Sequence, residues 1–501
     1  VINHPGFSPE PNPANGLSFI RQPVFGSSSL RYLFCFIRFV NLKIFRLMKV
    51  SYHSNPVYYI PMNLKKLLQF SFLVLSGFYG NSQTLNARID QKSRSLETKI
   101  IGWRRDLHEN PELGNREFKT AEKIAVHLKQ LGFEVQTGVA HTGVVGLLKG
   151  GKPGPVVALR ADMDALPVTE RVDIPFKSKV TAEYNGQTTG VMHACGHDTH
   201  VAMLMGVAEV LAAVKSDLKG TVKLIFQPAE EGAPEGEEGG AKLMVKEGVL
   251  ENPKVDAIFG LHINSQTEVN TIAYKPGATM AAVDFFSIDV KGKQTHGAYP
   301  WSGVDPIVTS SQIITGLQTI VSRNLDITKA PAVVTIGAIH GGIRQNIIPE
   351  EVKMIGTIRT FDEEMHSHVH QRVTEIATNI AESAGAKADV KINVLYPVTY
   401  NDIPLTEKMI GTLESVAGKD KVKLTTAKTG AEDFSYFQQK VPGFFFFLGG
   451  MPKGKNPLEA APHHTPDFYI DESGMVLGVR SLSRLAVDYM EQQAINPKGK
   501  K

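Results

Sequence analysis

Between residues 156 and 262 the chain alternates short apolar runs with segments of helical period, and this alternation limits the possible folds more than any other feature. The runs at 156–160, 221–227 and 257–262 are largely apolar, as in strands covered on both faces. Segments 199–214 and 239–247 carry the helical period between them, and a Lys/Arg-rich helix at about 91–108 precedes them. Strand, helix and strand at these lengths predict an α/β fold with a mixed, mostly parallel sheet. At residue 284 the order changes to strand 284–291, helix 305–323, strand 332–340, strand 351–360, helix 362–384 and strand 388–394. That βαββαβ order is the mark of an α+β ferredoxin-like unit. Helices near 404–416 and 431–439, a strand at 444–449 and a closing helix over about 473–492 then resume the first pattern. The expected organisation is one discontinuous domain, 91–280 and 396–493, interrupted by a smaller one at 281–395.

The 501 residues are 42% hydrophobic and 21% charged, enough for a sizeable core, and the net charge is +4. That charge is unevenly placed. Residues 1–82 hold eight basic side chains against the single acid Glu10, which leaves 46 basic and 49 acidic residues for the rest. A nucleic-acid partner recognised through bulk basicity is therefore not expected. From Met62 the pattern is MNLKK, an apolar stretch to Phe78, then Gly80, Asn81 and Ser82, which reads as a secretory signal over 62–82. Residues 1–61 read as upstream or leader sequence. The working protein is expected to be exported, periplasmic or extracellular, with no membrane anchor after cleavage. Cys35 would leave with the leader, so Cys195 would be the lone thiol and no internal disulfide could form.

The strongest local motif is MHACGHDTH, residues 192–200. Cys195 and His197 flank a glycine just before a helix, and a thiolate with an imidazole is a good donor set for zinc and its transition-metal neighbours. Alone it is ambiguous: a polar helix start capped by Asp198 or a Cys/His nucleophile pair fits equally. The other candidates lie at the ends of strands. ALRADMDALP places Asp162 and Asp164 after one, FQPAEEG places Glu230 and Glu231 after the next, and FGLHI places His262 on the third. In open α/β sheets such ends converge on the ligand crevice, and buried carboxylates there need a compensating cation. PHHTPDF adds His463 and His464. Adjacent side chains of an extended segment face opposite ways, which would let one glutamate ligate while the other takes a proton from water.

In combination these motifs resemble the dinuclear metallo-aminoacylase and carboxypeptidase family, and within it the branch of N-acyl-amino-acid, hippurate and auxin-conjugate amidohydrolases. The resemblance runs from about Ile101 to Met490. It implies two divalent ions (zinc, manganese, nickel or cobalt) held by Cys195, His197, Glu231, His262 and His464, the last chosen over His463 because a Thr-Pro pair follows it. Glu230 would be the general base and later the acid for the leaving amine, while Asp162 and Asp164 would orient ligands without binding metal. His296, in GKQTHGAYP, would stabilise the oxyanion, in relatives often from the partner subunit. Asn346, Arg359 and Gly430 would contact substrate. Gln294-Thr295 and Trp301 depart from the commoner pattern. The inserted domain would serve as lid and dimerisation element, so a homodimer is expected. The implied reaction is hydrolysis of an N-acyl amino acid or small peptide; a carboxypeptidase or dipeptidase of the same family, or a catalytically dead metal-binding homologue, are the alternatives.

Overall fold

The computed structural model describes residues 83–495. The expected signal and leader, residues 1–82 with Cys35, lie outside the described residues. Strands β1 (Glu134–Val139), β2 (Gly143–Lys149), β3 (Lys152–Asp162), β4 (Lys219–Gln227), β5 (Ala257–Glu268), β6 (Ile272–Tyr274), β11 (Val422–Leu424) and β12 (Gly443–Met451) make one sheet. Its order is β1-β2-β4-β3-β5-β12-β6-β11. The four central strands, β4, β3, β5 and β12, run parallel, while β1 and β2 add an antiparallel edge.

Both faces of the central strands are covered, which explains their largely apolar sequences. Val157, Leu159, Val222, Leu224, Phe259, Leu261, Phe444 and Phe446 pack on one side beneath the helices Leu85–Ser95 (α1), Glu97–Glu109 (α2), Phe118–Gln130 (α3), His197–Ala213 (α4) and Met475–Ile495 (α9). The alternate residues Ala158, Ile225, Ile258, Phe445 and Phe447 pack on the other against the helix Gly240–Lys246 (α5) and the phenylalanines Phe434 and Phe437. The two-residue period of a strand sorts them in this way. Helix α4 is buried from His197 to Leu211, so it shows no polar face.

A second sheet has its own core. Strands β7 (Ala282–Lys291), β8 (Ala332–Gly341), β9 (Glu351–Thr360) and β10 (Lys387–Tyr396) are antiparallel in the order β8-β9-β7-β10, the ferredoxin-like arrangement. Helices α6 (Pro306–Thr319) and α7 (Glu363–Ser383) cover one face through Phe286, Ile288, Val290, Ile313, Leu317, Val369 and Val373. The opposite face leaves Phe285, Val333 and Ile355 exposed.

Three elements depart from expectation. The edge strand β1 buries only Val139, so its sequence shows no apolar period to read. The helix expected at 431–439 shrinks to the single turn Ser435–Gln438, because Glu432 and Asp433 are drawn into the interior. The first helical segment is two helices, divided at Leu96. Among the described residues no helix is long and apolar enough to cross a membrane.

Two glycines test the packing. Gly449 lies where β12 shifts register against β5, and a Cβ there would stand 1.9 Å from the Glu268 carbonyl oxygen. Gly411, in the helix Ile403–Ala417 (α8), has nothing within 4 Å of the same position. Gly449→Ala is expected to lower the thermal midpoint sharply, whereas Gly411→Ala should raise stability by ~0.5–1 kcal/mol through helix propensity. Calorimetry on both variants checks the pair.

Candidate metal centre

The carboxyl ends of β3, β4 and β5 deliver their polar residues to one place, where the loop before α4 and the loop after β12 meet them. Gly196 sits between Cys195 and His197 at φ 91°, and a Cβ there would come within 2.4 Å of the Ile263 side chain. Only glycine meets both conditions, and the resulting turn aims thiol and imidazole the same way. Cys195, His197 and Glu231 offer ligand atoms within 4.8 Å of one another, and so do Cys195, His262 and His463. The cysteine is common to both groups.

Hydrogen bonds decide which ring nitrogens are free. His197 donates from Nδ1 to the Asp164 carbonyl at 2.9 Å, leaving its buried Nε2 without a partner. His262 donates from Nδ1 to the Ile263 carbonyl at 2.5 Å and points Nε2 at the Cys195 sulfur, 3.4 Å away. In each ring one bond commits Nδ1 and leaves Nε2 facing the cluster, the orientation a metal ligand needs. His200 is closed at both ends, since Nδ1 donates to Asp162 and Nε2 accepts the Ile263 N–H at 2.8 Å. His463 is committed too: Nε2 accepts the Ser265 N–H at 3.3 Å, which puts the proton of the neutral ring on Nδ1, 3.5 Å from the sulfur. Burial, with His464 next to it, holds the His463 pKa down to about 3, so the ring stays neutral. His464, with backbone φ of 62°, turns the other way and brings Nε2 to 2.9 Å from Glu231 Oε1. Of the adjacent pair, His464 therefore keeps the freer nitrogen although His463 lies nearer the thiol.

The carboxylates form a buried network around one guanidinium. Arg160 donates to Asp162 at 2.6 Å, to Glu432 at 2.9 Å and to Asp433 at 3.0 Å, and to the Gln227 side chain at 2.8 Å. Asp164 holds both the His197 ring and, through Oδ2, the Glu231 N–H at 3.0 Å, so it braces two candidate ligands, whereas Asp162 holds Arg160 and His200. Ala229 at φ 49° and Gly232 at φ 113° bend the segment that carries Glu230 and Glu231. The segment is not extended, and the two carboxylates do not face apart as expected from their adjacency. Glu230 Oε2 and Glu231 Oε1 lie 3.9 and 4.0 Å from His197 Nε2.

Electrostatics matches a site built around cations. Burial, then Glu432, Glu231 and Asp433, push the Glu230 carboxyl well above its usual range. Burial and Glu432 outweigh Arg160 to hold Asp433 up to about 8. Burial disfavours charge on His197, but Asp162, Asp164 and Glu231 overcome it and raise its pKa to about 10. The Cys195 thiol is pushed far up by burial and by Glu231 and Glu230. A cysteine nucleophile needs the opposite environment. Here only a cation would favour the thiolate, so the unpartnered His197 Nε2, the free His262 Nε2, Cys195 and Glu231 fit divalent metal.

The remaining candidates lie apart from this cluster. His296 is exposed on a two-residue strand paired with Ile347, and Gly297 donates to the Asn346 carbonyl at 2.8 Å, so His296 and Asn346 are neighbours. The His296 ring makes local contacts, to the Ala298 N–H and to Tyr299. Arg359 on β9 donates to the Ile358 carbonyl and is partly buried. Gly430 accepts from Ala281 N–H at 3.1 Å, and Trp301 is fully on the surface at 78% exposure. Asp198 does not cap α4; it is buried against Arg104 at 2.8 Å and His108 at 2.8 Å. Sequence reasoning passed over Arg160, Gln227, Glu432, Asp433 and Tyr396, whose hydroxyl donates to the Glu230 carbonyl at 2.6 Å. For Arg160 a signal was present, since an arginine inside an otherwise apolar strand demands buried acids.

Relatives share this arrangement of sequence over most of the described chain. Thermostable carboxypeptidase 2 of Saccharolobus solfataricus is 43% identical over 398 residues, covering 79% of this chain and 96% of that protein. N-acetyl-L-cysteine deacetylase of Bacillus subtilis is 39% identical over 384 residues, 76% of this chain and 86% of its own length. Among solved structures, the YXEP protein of Bacillus subtilis, described as a dinuclear metal-binding peptidase, aligns with a TM-score of 0.65 at 37% identity over 79% of this chain and 99% of that one. The family description for peptidase family M20/M25/M40 matches residues 158–488, and the chain belongs to that family.

Proposed function

We propose that this protein is a metal-dependent amidohydrolase that cleaves the amide bond of an N-acyl amino acid or small peptide and releases the free amino acid. The observation that carries the reading is the convergence of donor atoms on Cys195, His197 and His262 beside the buried Glu230 carboxylate, 3.9 Å from His197 Nε2. Cys195, His197, Glu231, His262 and His464 would hold two divalent ions, whose Lewis acidity makes water nucleophilic and draws charge from the scissile carbonyl. Glu230 accepts the proton of the attacking water and passes it to the departing amine; burial and its acidic neighbours raise its affinity for that proton. Asp164 keeps His197 Nε2 aimed inward, and Arg160 gathers Asp162, Glu432 and Asp433 on one guanidinium beside Glu230. Arg359 is suited to the substrate carboxylate. The deacetylase relative favours an acyl group on the amino side; the carboxypeptidase relative favours a peptide, and both substrates present an amide next to a carboxylate.

A homodimer through the second sheet is supported by its exposed apolar face, where Phe285, Val333 and Ile355 are roughly half accessible. It would let His296 of each subunit serve its partner's oxyanion, consistent with that histidine's exposed, locally bonded position.

Glu230→Gln should lower kcat by ~10²–10⁴ with metal content unchanged, the range of a lost general base. Turnover equal to wild type on a panel of N-acetyl, N-benzoyl and indole-acyl amino acids would refute the role. Arg359→Ala is expected to reduce kcat/KM by about 10–100-fold on acids, from a lost charged hydrogen bond, but little on the same substrates with the carboxyl amidated. If His296 acts across a dimer, mixing inactive Glu230→Gln and His296→Ala subunits should restore activity; a fully active monomer by light scattering removes that role.

A further inference from the structure

A second set of donors lies outside the strand-end cluster. Asp284 on β7 is fully buried, and its Oδ2 is met by His366 Nε2 and His370 Nε2, both at 2.7 Å. The two histidines are one helical turn apart on α7, so both rings descend from the same face onto the sheet. Their centroids are 4.2 Å apart. All three donors are within 4.8 Å of one another.

Hydrogen bonding alone accounts poorly for this arrangement. Both rings crowd one carboxylate oxygen, while the other, Asp284 Oδ1, is buried with no partner at all. A buried lone carboxylate oxygen is costly, and a second histidine would relieve it if its role were only to neutralise Asp284. Convergence of two Nε2 atoms and a carboxylate on a common point, beside an oxygen lacking a donor, is the geometry of ligands around a cation. Two imidazole nitrogens and one carboxylate oxygen form a zinc-type donor set, with water able to complete four-coordination from the partly exposed His370 side. Glu363 Oε1 lies 3.9 Å from His366 Nδ1, on the side of the ring away from Asp284.

We propose that Asp284, His366 and His370 form a divalent-metal site of the zinc type that pins helix α7 to strand β7. Its place is informative. Val283, the next residue, pairs in register with Arg359, and Asp284 is the charge that Arg359 senses. A cation here would stiffen the strand pair that presents Arg359.

The test is a count of zinc equivalents on the full chain. Protein stripped by chelator is titrated with zinc against a chromogenic competitor, in wild type, His370→Gln and Asp284→Asn. Wild type is expected to bind one equivalent more than either variant and to gain more in thermal midpoint on zinc addition. His370 is at the surface, so its variant carries the test should Asp284→Asn fail to fold. Equal counts in wild type and His370→Gln would overturn the proposal and leave a hydrogen-bonded trio. An error in the strand-end assignment would change every total alike and leave the difference intact.

Discussion

The buried guanidinium of Arg160 is the contact on which the rest of the site depends. It stands at the end of a central strand with no exposure, and Asp162, Glu432 and Asp433 surround it. Removing one partner of such a network typically costs ~3–5 kcal/mol because the others remain buried and unpaired. The network also organises the chain. It links β3 to the 430s loop and, through Gln227, to β4, and it pulls Glu432 and Asp433 out of the helix their sequence would begin. One cation cannot balance so many acids. Burial, with the excess negative charge added to it, raises the pKa values of Glu230 and Asp433, and divalent ions at Cys195 would offset that charge.

The histidines complement this charge by position and by tautomer. His197 and His262 each spend Nδ1–H on a carbonyl, while His200 and His463 spend both nitrogens on the protein. Four histidines near one thiol could look interchangeable in sequence. Their backbone partners divide them into two that can ligate and two that position neighbours, before any ion is bound.

Much of the fold was legible because burial on both faces leaves largely apolar strands, and the βαββαβ order of the second unit left its helices and strands close to their expected limits. The edge strand β1 was not legible, since five of its six residues are partly or fully exposed. The convergence of Asp162, Glu230 and His262 could be inferred from their common place at strand ends. The choice of His464 over His463 came only from the family resemblance, because the geometry behind it rests on a left-handed residue at 464 and on the Ser265 amide, both products of tertiary structure. Arg160 was visible yet passed over, as its motif was read for its two aspartates.

The inserted unit is fastened to the chemistry at the point where the chain leaves it. Strand β10 ends at Tyr396, whose hydroxyl donates to the carbonyl of Glu230, and Tyr436 donates to the carbonyl of Leu395 one residue earlier. Tyr396 holds the backbone of the residue read as general base, and the Glu230 carboxylate in turn accepts the Asp433 N–H. A displacement of β10 would therefore shift Glu230 relative to His197. Arg359, two strands away in the same sheet, would move with it. Under the proposed roles, substrate carboxylate and proton acceptor would both be referred to this one sheet. Binding energy gained at Arg359 could then set the position of Glu230, which is how contacts remote from a scissile bond come to act on a chemical step.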